Sequence, residues 1–173
     1  AVLAALISTL CAVLCLTGCD RPELMPWHEE VLESEFSTKV VGEIGSFEDY
    51  LTLEDAVFTE LDQRFYADAA TGPEQSLERY SKGSLADPGQ RQPNWNRSFE
   101  LSGDTGIGGV LLLHGMSDSP YSLRALGEAL QQRGYHVVGL RMPGHGTIPS
   151  GMLYLQWQDI AAVVRLGMLH LAQ

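Results

Sequence analysis

Residues 110–121 read Val-Leu-Leu-Leu-His-Gly-Met-Ser-Asp-Ser-Pro-Tyr, and this stretch decides the fold. Its apolar run stops abruptly at His114-Gly115, and a polar turn follows. Pro120 suits the first position of a helix, with Ser119 or Asp118 as the cap. The pattern predicts a strand, a tight turn and a helix. A turn of this kind can aim a backbone N–H at a developing oxyanion.

The residues after the turn complete a β-α-β unit. Leu123, Leu126 and Leu130 fall on one helical face, and Gly134 suits a left-handed helix stop. Residues 135–140 form a second short, β-rich run. Two strands joined by a helix are expected to be parallel, with a right-handed crossover.

A second loop and a second helix follow this unit. Residues 141–147, Arg-Met-Pro-Gly-His-Gly-Thr, are dense in residues that break regular structure. Apolar residues then recur at helical spacing and predict a helix over about 153–171. They are Trp157, Ile160, Val164, Met168 and Leu171.

The two loops together resemble those of the α/β-hydrolase superfamily, in which His114-Gly115-Met116 and the Pro-Gly-His-Gly-Thr loop at 143–147 have counterparts. The likeness is to bacterial carboxylesterase and monoacylglycerol-lipase-like members, also grouped as serine aminopeptidase S33-type hydrolases. It covers about residues 98–173. The resemblance implies a mostly parallel sheet flanked by helices, and hydrolysis of a carboxylic ester by a Ser-His-Asp triad.

The resemblance also implies roles for single residues. The Met116 N–H is one oxyanion donor, while Gly115 and His114 shape its turn, His114 by hydrogen bonding rather than as a base. The alternatives are that His114 is an ordinary core histidine and that Met116 is simply packed. His145, in a loop expected to be exposed, is interpreted as structural. Turn, cap or solvated surface positions are expected for Ser117, Ser119, Asp118 and Asp159.

The nucleophile of this family lies in a Gly-x-Ser-x-Gly elbow, and no such sequence occurs in the 173 residues. In the family's chain order, the elbow follows the second helix, and the triad acid and histidine come later still. We therefore expect the chain to be the N-terminal part of a longer protein, with nucleophile, acid and base beyond Gln173. By itself it should be inactive.

The first nineteen residues predict export and lipidation. Residues 1–17 carry no charge and suit the core of a signal peptide. They lead into Leu16-Thr17-Gly18-Cys19, which matches the bacterial lipobox, so Cys19 is the expected site of the lipid. Asp20 then resembles an inner-membrane retention signal. The expected location is the periplasmic side of a bacterial membrane; an ordinary signal peptide or a short membrane anchor is the alternative.

Composition excludes several classes of partner and cofactor. The chain has 22 acidic and 11 basic residues, a formal net charge of -11, which argues against nucleic acid. Cys11 and Cys15 would leave with the signal peptide, so no disulfide is expected. His28, His136 and His170 show no metal-ligand spacing. We therefore expect no metal and no cofactor, and an ester or acyl compound as the small-molecule partner. Protein partners are not predicted.

Four segments follow from these patterns: a lipoprotein signal peptide at 1–18, a tether at 19–52, a helical extension at 53–97 and the hydrolase part at 98–173. Thr52-Leu-Glu-Asp55 approximates a capping box for a helix over about 53–69. A further helical turn at 74–80 and a strand at 94–101 are expected. The extension either packs on the hydrolase domain or acts as a substrate-access lid.

Two other functions stay open at this point. One is a different chemistry on the same fold, such as that of an aminopeptidase, an acyltransferase or a haloperoxidase. The other is a lipid-anchored, non-catalytic module that binds a ligand or a protein. An elbow that lacks its serine would favour this second alternative.

Overall fold

The computed structural model describes residues 23–39, 44–67, 69–104 and 106–173. Their helices are α1 (Pro26–Glu29), α2 (Phe47–Leu61), α3 (Arg124–Gln131) and α4 (Trp157–Leu171). Their strands are β1 (Phe99–Leu101), β2 (Gly109–Leu113) and β3 (His136–Leu140). A π-helical turn at Asp62–Tyr66 extends α2, and short 3-10 turns lie at Pro73–Gln75, Pro88–Gln90, Pro120–Leu123 and Pro149–Leu153. None of the helices in these ranges is long and apolar enough to cross a membrane.

The three strands form one mixed sheet in the order β1-β3-β2. β2 and β3 are parallel, with Val110 opposite Val137, which confirms the predicted β-α-β unit. β1 runs antiparallel to β3 and places Phe99 opposite Gly139. β1 is shorter than the strand predicted at 94–101, because the side chain of Asn94 folds back to accept the Asn96 N–H and forms a turn.

Helices cover both faces of the sheet, and the central strand β3 is buried on both. On one face, Val138 and Leu140 pack with Val163 of α4. On the other face, Val137 packs with Leu112 of β2 and the α3 face that carries Leu130. The fold class is therefore α/β, with helices flanking the sheet. Alternate residues of β3 pack into the two apolar layers and hold the strand in place. The position of the loop that follows β3 is fixed as a result.

Helix α2 differs from its prediction at its N-terminus. It begins at Phe47, because Ser46 caps it: the Ser46 hydroxyl accepts the Asp49 N–H at 3.1 Å and the Asp49 carboxylate accepts the Ser46 N–H. The capping box predicted at Thr52 is wrong. Thr52 lies inside the helix, where its hydroxyl donates to the Glu48 carbonyl.

Two further helix boundaries were also predicted wrongly. The helix predicted from Leu153 begins at Trp157, because Pro149–Leu153 forms a separate 3-10 turn. The helical turns predicted at 74–80 reduce to the three residues Pro73–Gln75. Short segments rich in polar residues and glycine offer too few apolar contacts to extend a turn into a helix.

The segments before the sheet pack against it. Tyr50 of α2 is fully buried with Val138 of β3, and Phe58 packs in a second cluster with Ile148. Leu32 and Phe36, inside the predicted tether at 19–52, are also buried in these clusters. The segment boundaries themselves stay predictions, and the predicted signal peptide with Cys19 lies outside the described residues.

Candidate functional site

The loops that follow β2 and β3 meet at the carboxyl ends of the two parallel strands, the edge at which open α/β sheets bind ligands. His114 joins them. Its Nε2 accepts the Met142 N–H at 3.1 Å, and its Nδ1 lies 3.0 Å from the Gly115 carbonyl oxygen. The two bonds are satisfied together only when Nδ1 carries the proton and donates it to that carbonyl.

This arrangement leaves His114 unsuited to proton transfer. The residue is buried, and burial lowers the pKa of its imidazole below the usual value, so that the ring stays neutral. Both ring nitrogens are already used. The geometry agrees with a residue that shapes the turn, and it gives no support to a histidine that acts as a base.

Met116 lies at the tip of the turn, with a side chain that is 76% exposed. Its N–H donates to no other atom within the part of the chain that the structure describes. The following residue, Ser117, has φ = 63°, a left-handed conformation that side chains other than glycine adopt at a cost. The turn therefore holds an unused backbone donor next to a strained residue, a feature that clusters at functional sites.

The side chains after Met116 hold the turn. Asp118 accepts the Ser119 N–H at 2.7 Å and the Ser122 hydroxyl at 2.6 Å, and the bond from Ser122 contributes most to lowering the pKa of this carboxyl. Ser119 is buried, and its hydroxyl donates to Asn96 at 2.6 Å. Ser119 is the N-cap residue of the 3-10 turn at Pro120–Leu123, one of the two positions predicted, but its side chain makes no capping hydrogen bond, and Asp118 stabilises the turn instead.

His145 is buried, not exposed as predicted, with only 2% of its surface accessible. Its Nδ1 lies 2.8 Å from the Pro143 carbonyl oxygen, and its ring meets His114 edge-on at 5.0 Å between centroids. Its Nε2 has no partner among the described residues. The flanking Gly144 and Gly146, at φ of 73° and 74°, provide the left-handed backbone that turns the ring inward.

Arg141, at the start of the second loop, is completely buried in an ionic network that the sequence did not reveal. Its guanidinium binds both oxygens of Glu35, at 2.9 and 3.0 Å, and donates from Nε to Glu54 at 3.1 Å. It also donates to the His145 carbonyl at 2.9 Å, and so fixes the loop around that residue. Burial is the largest single influence and acts against its charge, but Glu35, Tyr50 and Glu54 together outweigh burial and raise the pKa of Arg141.

Glu54 links Arg141 to Ser98, the residue that precedes β1. Its two oxygens accept the N–H and the hydroxyl of Ser98, both at 2.8 Å, and that hydroxyl in turn accepts the Arg141 N–H at 2.9 Å. Burial raises the pKa of Glu54, while Arg141 and Ser98 oppose the rise. The Tyr50 hydroxyl completes the hydrogen-bond network of Arg141 by donating to its carbonyl at 2.7 Å.

Asp159 is buried and not a solvated helix position as predicted. One carboxylate oxygen accepts both the N–H and the hydroxyl of Thr38 at 2.8 Å, and the other accepts the Gln156 N–H at 3.0 Å. The residue therefore caps the N-terminus of α4, which begins at Trp157, and also anchors the N-terminal segment at Thr38. The Gln-x-x-Asp spacing was the signal that pointed to a capping residue.

A cavity of about 800 Å³ opens beside the two loops. Its walls come from the turn after β2, from the loop after β3 and from the extension. They include Ser117, Ser119, His145, Thr147, Leu153 and Tyr80. A volume of this size suits a small organic ligand with an apolar part. The described residues thus supply a cavity wall and one free backbone donor, without a nucleophile elbow.

A second group of polar residues lies at the other edge of the sheet. Glu100, His136 and His170 present one ligand atom each, and these atoms lie within 4.8 Å of one another. This group is not visible in the sequence, because Glu100 and His136 are 36 residues apart, His136 and His170 are 34 apart, and the three belong to β1, β3 and α4. His136 and His170, which show no metal-ligand spacing in the sequence, therefore do lie together with a carboxylate in the fold.

Comparison with known proteins finds partial similarity to lipolytic enzymes. No family model matches the chain. Over 64 residues it is 41% identical to the thermostable monoacylglycerol lipase of Bacillus sp. (strain H-257), a match that covers 37% of this chain and 26% of that enzyme. A solved structure from a study of two metagenome-derived lipolytic enzymes, LipS and LipT, matches at 33% identity with a TM-score of 0.42. It covers 45% of this chain and 31% of that one.

The sequence match relates the chain to the α/β-hydrolases, and the mixed sheet with flanking helices has the corresponding fold class. The relationship is partial, since the chain spans about a quarter of the length of the lipase. The roles given to His114, Gly115 and Met116 stay predictions.

Proposed function

We propose that the protein hydrolyses carboxylic esters, and that monoacylglycerol-like compounds are its substrate class. The free Met116 N–H, next along the chain to Ser117 in the cavity wall, carries the proposal. The 41% identity to a monoacylglycerol lipase supports the choice of substrate class. An ester with one acyl chain combines a polar head with an apolar tail, which suits a cavity lined by both polar and apolar residues.

In the proposed mechanism this chain supplies transition-state stabilisation and the substrate wall. The proposal requires an attacking serine, a histidine and an acid from outside the 173 residues, which contain no Gly-x-Ser-x-Gly elbow. As the serine oxygen bonds to the ester carbon, the serine proton passes to the histidine, the carbonyl oxygen gains negative charge, and the Met116 N–H donates to it. The alkoxide leaves with a proton from the histidine, and water then releases the acyl group.

The test uses the full-length protein with p-nitrophenyl esters and a fluorophosphonate probe. Met116→Pro removes the N–H, and we expect kcat to fall by about 10²- to 10³-fold. Met116→Ala keeps the N–H and alters only the side chain, so its loss should be much smaller. Melting temperatures of both variants show that the fold is retained.

Two outcomes would contradict this proposal. If the full-length wild-type protein neither reacts with the probe nor turns over esters, it is not a serine esterase, and a non-catalytic binding module becomes the better hypothesis. If it does turn over esters but Met116→Pro and Met116→Ala lose activity equally, the backbone donor is not Met116.

We also propose that the protein is anchored by lipid at Cys19, on the periplasmic side of a bacterial inner membrane. The lipobox sequence at 16–19 and Asp20 support this proposal. Growth with an alkyne-bearing fatty acid should label the wild-type protein and the matched control Cys15→Ser, but not Cys19→Ser. An unlabelled wild-type protein would refute the anchor. Recovery of a labelled protein in the outer membrane would refute the role of Asp20.

A further inference from the structure

Three metal-ligand side chains from three separate elements converge at the sheet edge opposite the His114 loop. Glu100 projects from β1, His136 begins β3, and His170 lies in the last turn of α4. His136 and the His114 loop are at opposite ends of the parallel pair, so by strand rise alone about 15 Å separates them. The cluster is therefore distinct from the cavity described above.

The three side chains point their ligand atoms at a common position. Nε2 of His136 lies 2.6 Å from Oε1 of Glu100, and Nε2 of His170 lies 3.0 Å from the same oxygen. In a tetrahedral zinc site, with metal–ligand distances of about 2.0–2.2 Å, neighbouring ligand atoms are about 3.3 Å apart. Opening these two histidine–carboxylate pairs by less than about 1 Å each would bring them to that separation, and all three ligand atoms already lie within 4.8 Å of one another.

A carboxylate and an aromatic ring lie beside His170. Its Nδ1 is 3.2 Å from Oε1 of Glu48, an ion-pair distance, and the ring packs on Phe47 at 4.9 Å between centroids. A metal-binding histidine usually donates its second N–H to a carboxylate, which fixes the tautomer and leaves the other nitrogen free to bind. Glu48 is within reach of this role after a small rotation of its exposed side chain.

From this geometry we propose that Glu100, His136 and His170 bind a divalent transition-metal ion, with Zn²⁺ as the best match. Two imidazole nitrogens and one carboxylate oxygen are ligands that zinc prefers. The side chains are 20–35% exposed, which leaves water access to a fourth ligand position.

The ion would act as a structural clip. It would join β1, β3 and the end of α4, whose ligands span 70 residues of the sequence, from Glu100 to His170. A ligand that binds the folded state alone stabilises it, so zinc should raise the melting temperature. This inference is independent of the proposed esterase activity, which depends on the other edge of the sheet.

The test is calorimetric titration of the chelator-treated full chain with Zn²⁺ alone. We expect saturation at one equivalent and a higher melting temperature with zinc. His136→Gln and His170→Gln should each weaken binding at least ~10-fold. His28→Gln, which alters a histidine outside the cluster, is the matched control and should bind as the wild-type protein does.

Titration with Co²⁺ gives a second measurement that does not depend on variants. Tetrahedral binding through imidazole should produce intense visible absorption bands, which Zn²⁺ then displaces. The proposal is overturned if the wild-type protein binds neither ion at one equivalent, or if binding persists unchanged in a folded His136→Gln/His170→Gln double variant. In that case the cluster is a hydrogen-bonded group without a metal.

Discussion

Nε2 of His114 accepts the Met142 N–H at 3.1 Å, so that one imidazole joins the loops that follow β2 and β3. Without the acceptor, a backbone N–H would stay buried with no partner. Loss of a buried partner costs about 1–3 kcal/mol. We predict that His114→Ala lowers the free energy of unfolding by this amount, measured by urea denaturation.

His114→Gln is the matched variant. Its longer side chain carries a carbonyl that can reach the Met142 N–H, so it should lose clearly less stability than His114→Ala. Equal losses in both variants would show that ring volume, and not the hydrogen bond, accounts for the effect.

The neutral state of His114 predicts a pH dependence. Burial lowers the pKa of His114 from its usual value of 6.5, so the unfolded chain takes up a proton at higher pH than the folded protein. The free energy of unfolding should therefore fall as the pH drops through 6.5, the pKa in the unfolded chain. It should stop falling once the pH is below the pKa in the folded protein. Urea midpoints between about pH 7 and about pH 5 should show a smaller decrease for His114→Gln than for the wild-type protein. Identical slopes would contradict a lowered pKa.

The Arg141 network predicts that the extension determines the shape of the site. Glu35→Gln weakens the partner that holds a fully buried guanidinium, and breaking a buried ion pair costs about 3–5 kcal/mol. Since Arg141 also holds the His145 carbonyl, ester turnover by the full-length protein should fall as well. Thermal unfolding and kinetics measure the two effects.

A surface ion pair provides the control for this prediction. Arg97 pairs with Asp55, which is 76% exposed. Exposed pairs contribute about 0–1 kcal/mol, so Asp55→Asn should change little. A loss for Asp55→Asn as large as that for Glu35→Gln would mean that burial does not set the strength of these pairs.

The sequence predicted the elements whose patterns are local. The apolar run before His114 and the helical spacing after Pro120 are read within a few residues, and the parallel pair follows from strand–helix–strand order. The predicted start of helix α2 was wrong because two residues, Ser46 and Thr52, are both candidates to cap it. Both residues have suitable neighbours, and only tertiary packing of Phe47 and Tyr50 selects the first.

The candidate site was predictable only in part, for a physical reason. The His114 turn is a local pattern and was found. The burial of Arg141 and Asp159 depends on partners far along the chain: Glu35 is 106 residues from Arg141, and Thr38 is 121 residues from Asp159. Charged residues are buried only when paired, and a single sequence does not reveal which carboxylate provides the pair.

The last prediction concerns Gly139, which lies opposite Phe99 across the sheet. A Cβ at position 139 would come within 2.1 Å of the Phe99 ring, so the ring occupies the space that this glycine leaves. Gly139→Ala should therefore cost about 1–3 kcal/mol. Gly115→Ala is the matched control, since a Cβ there meets nothing within 4 Å, and its effect on stability should be small. Adding Phe99→Ala removes the clash, so the double variant should lose less than the sum of the single losses; strict additivity in urea denaturation would contradict the contact.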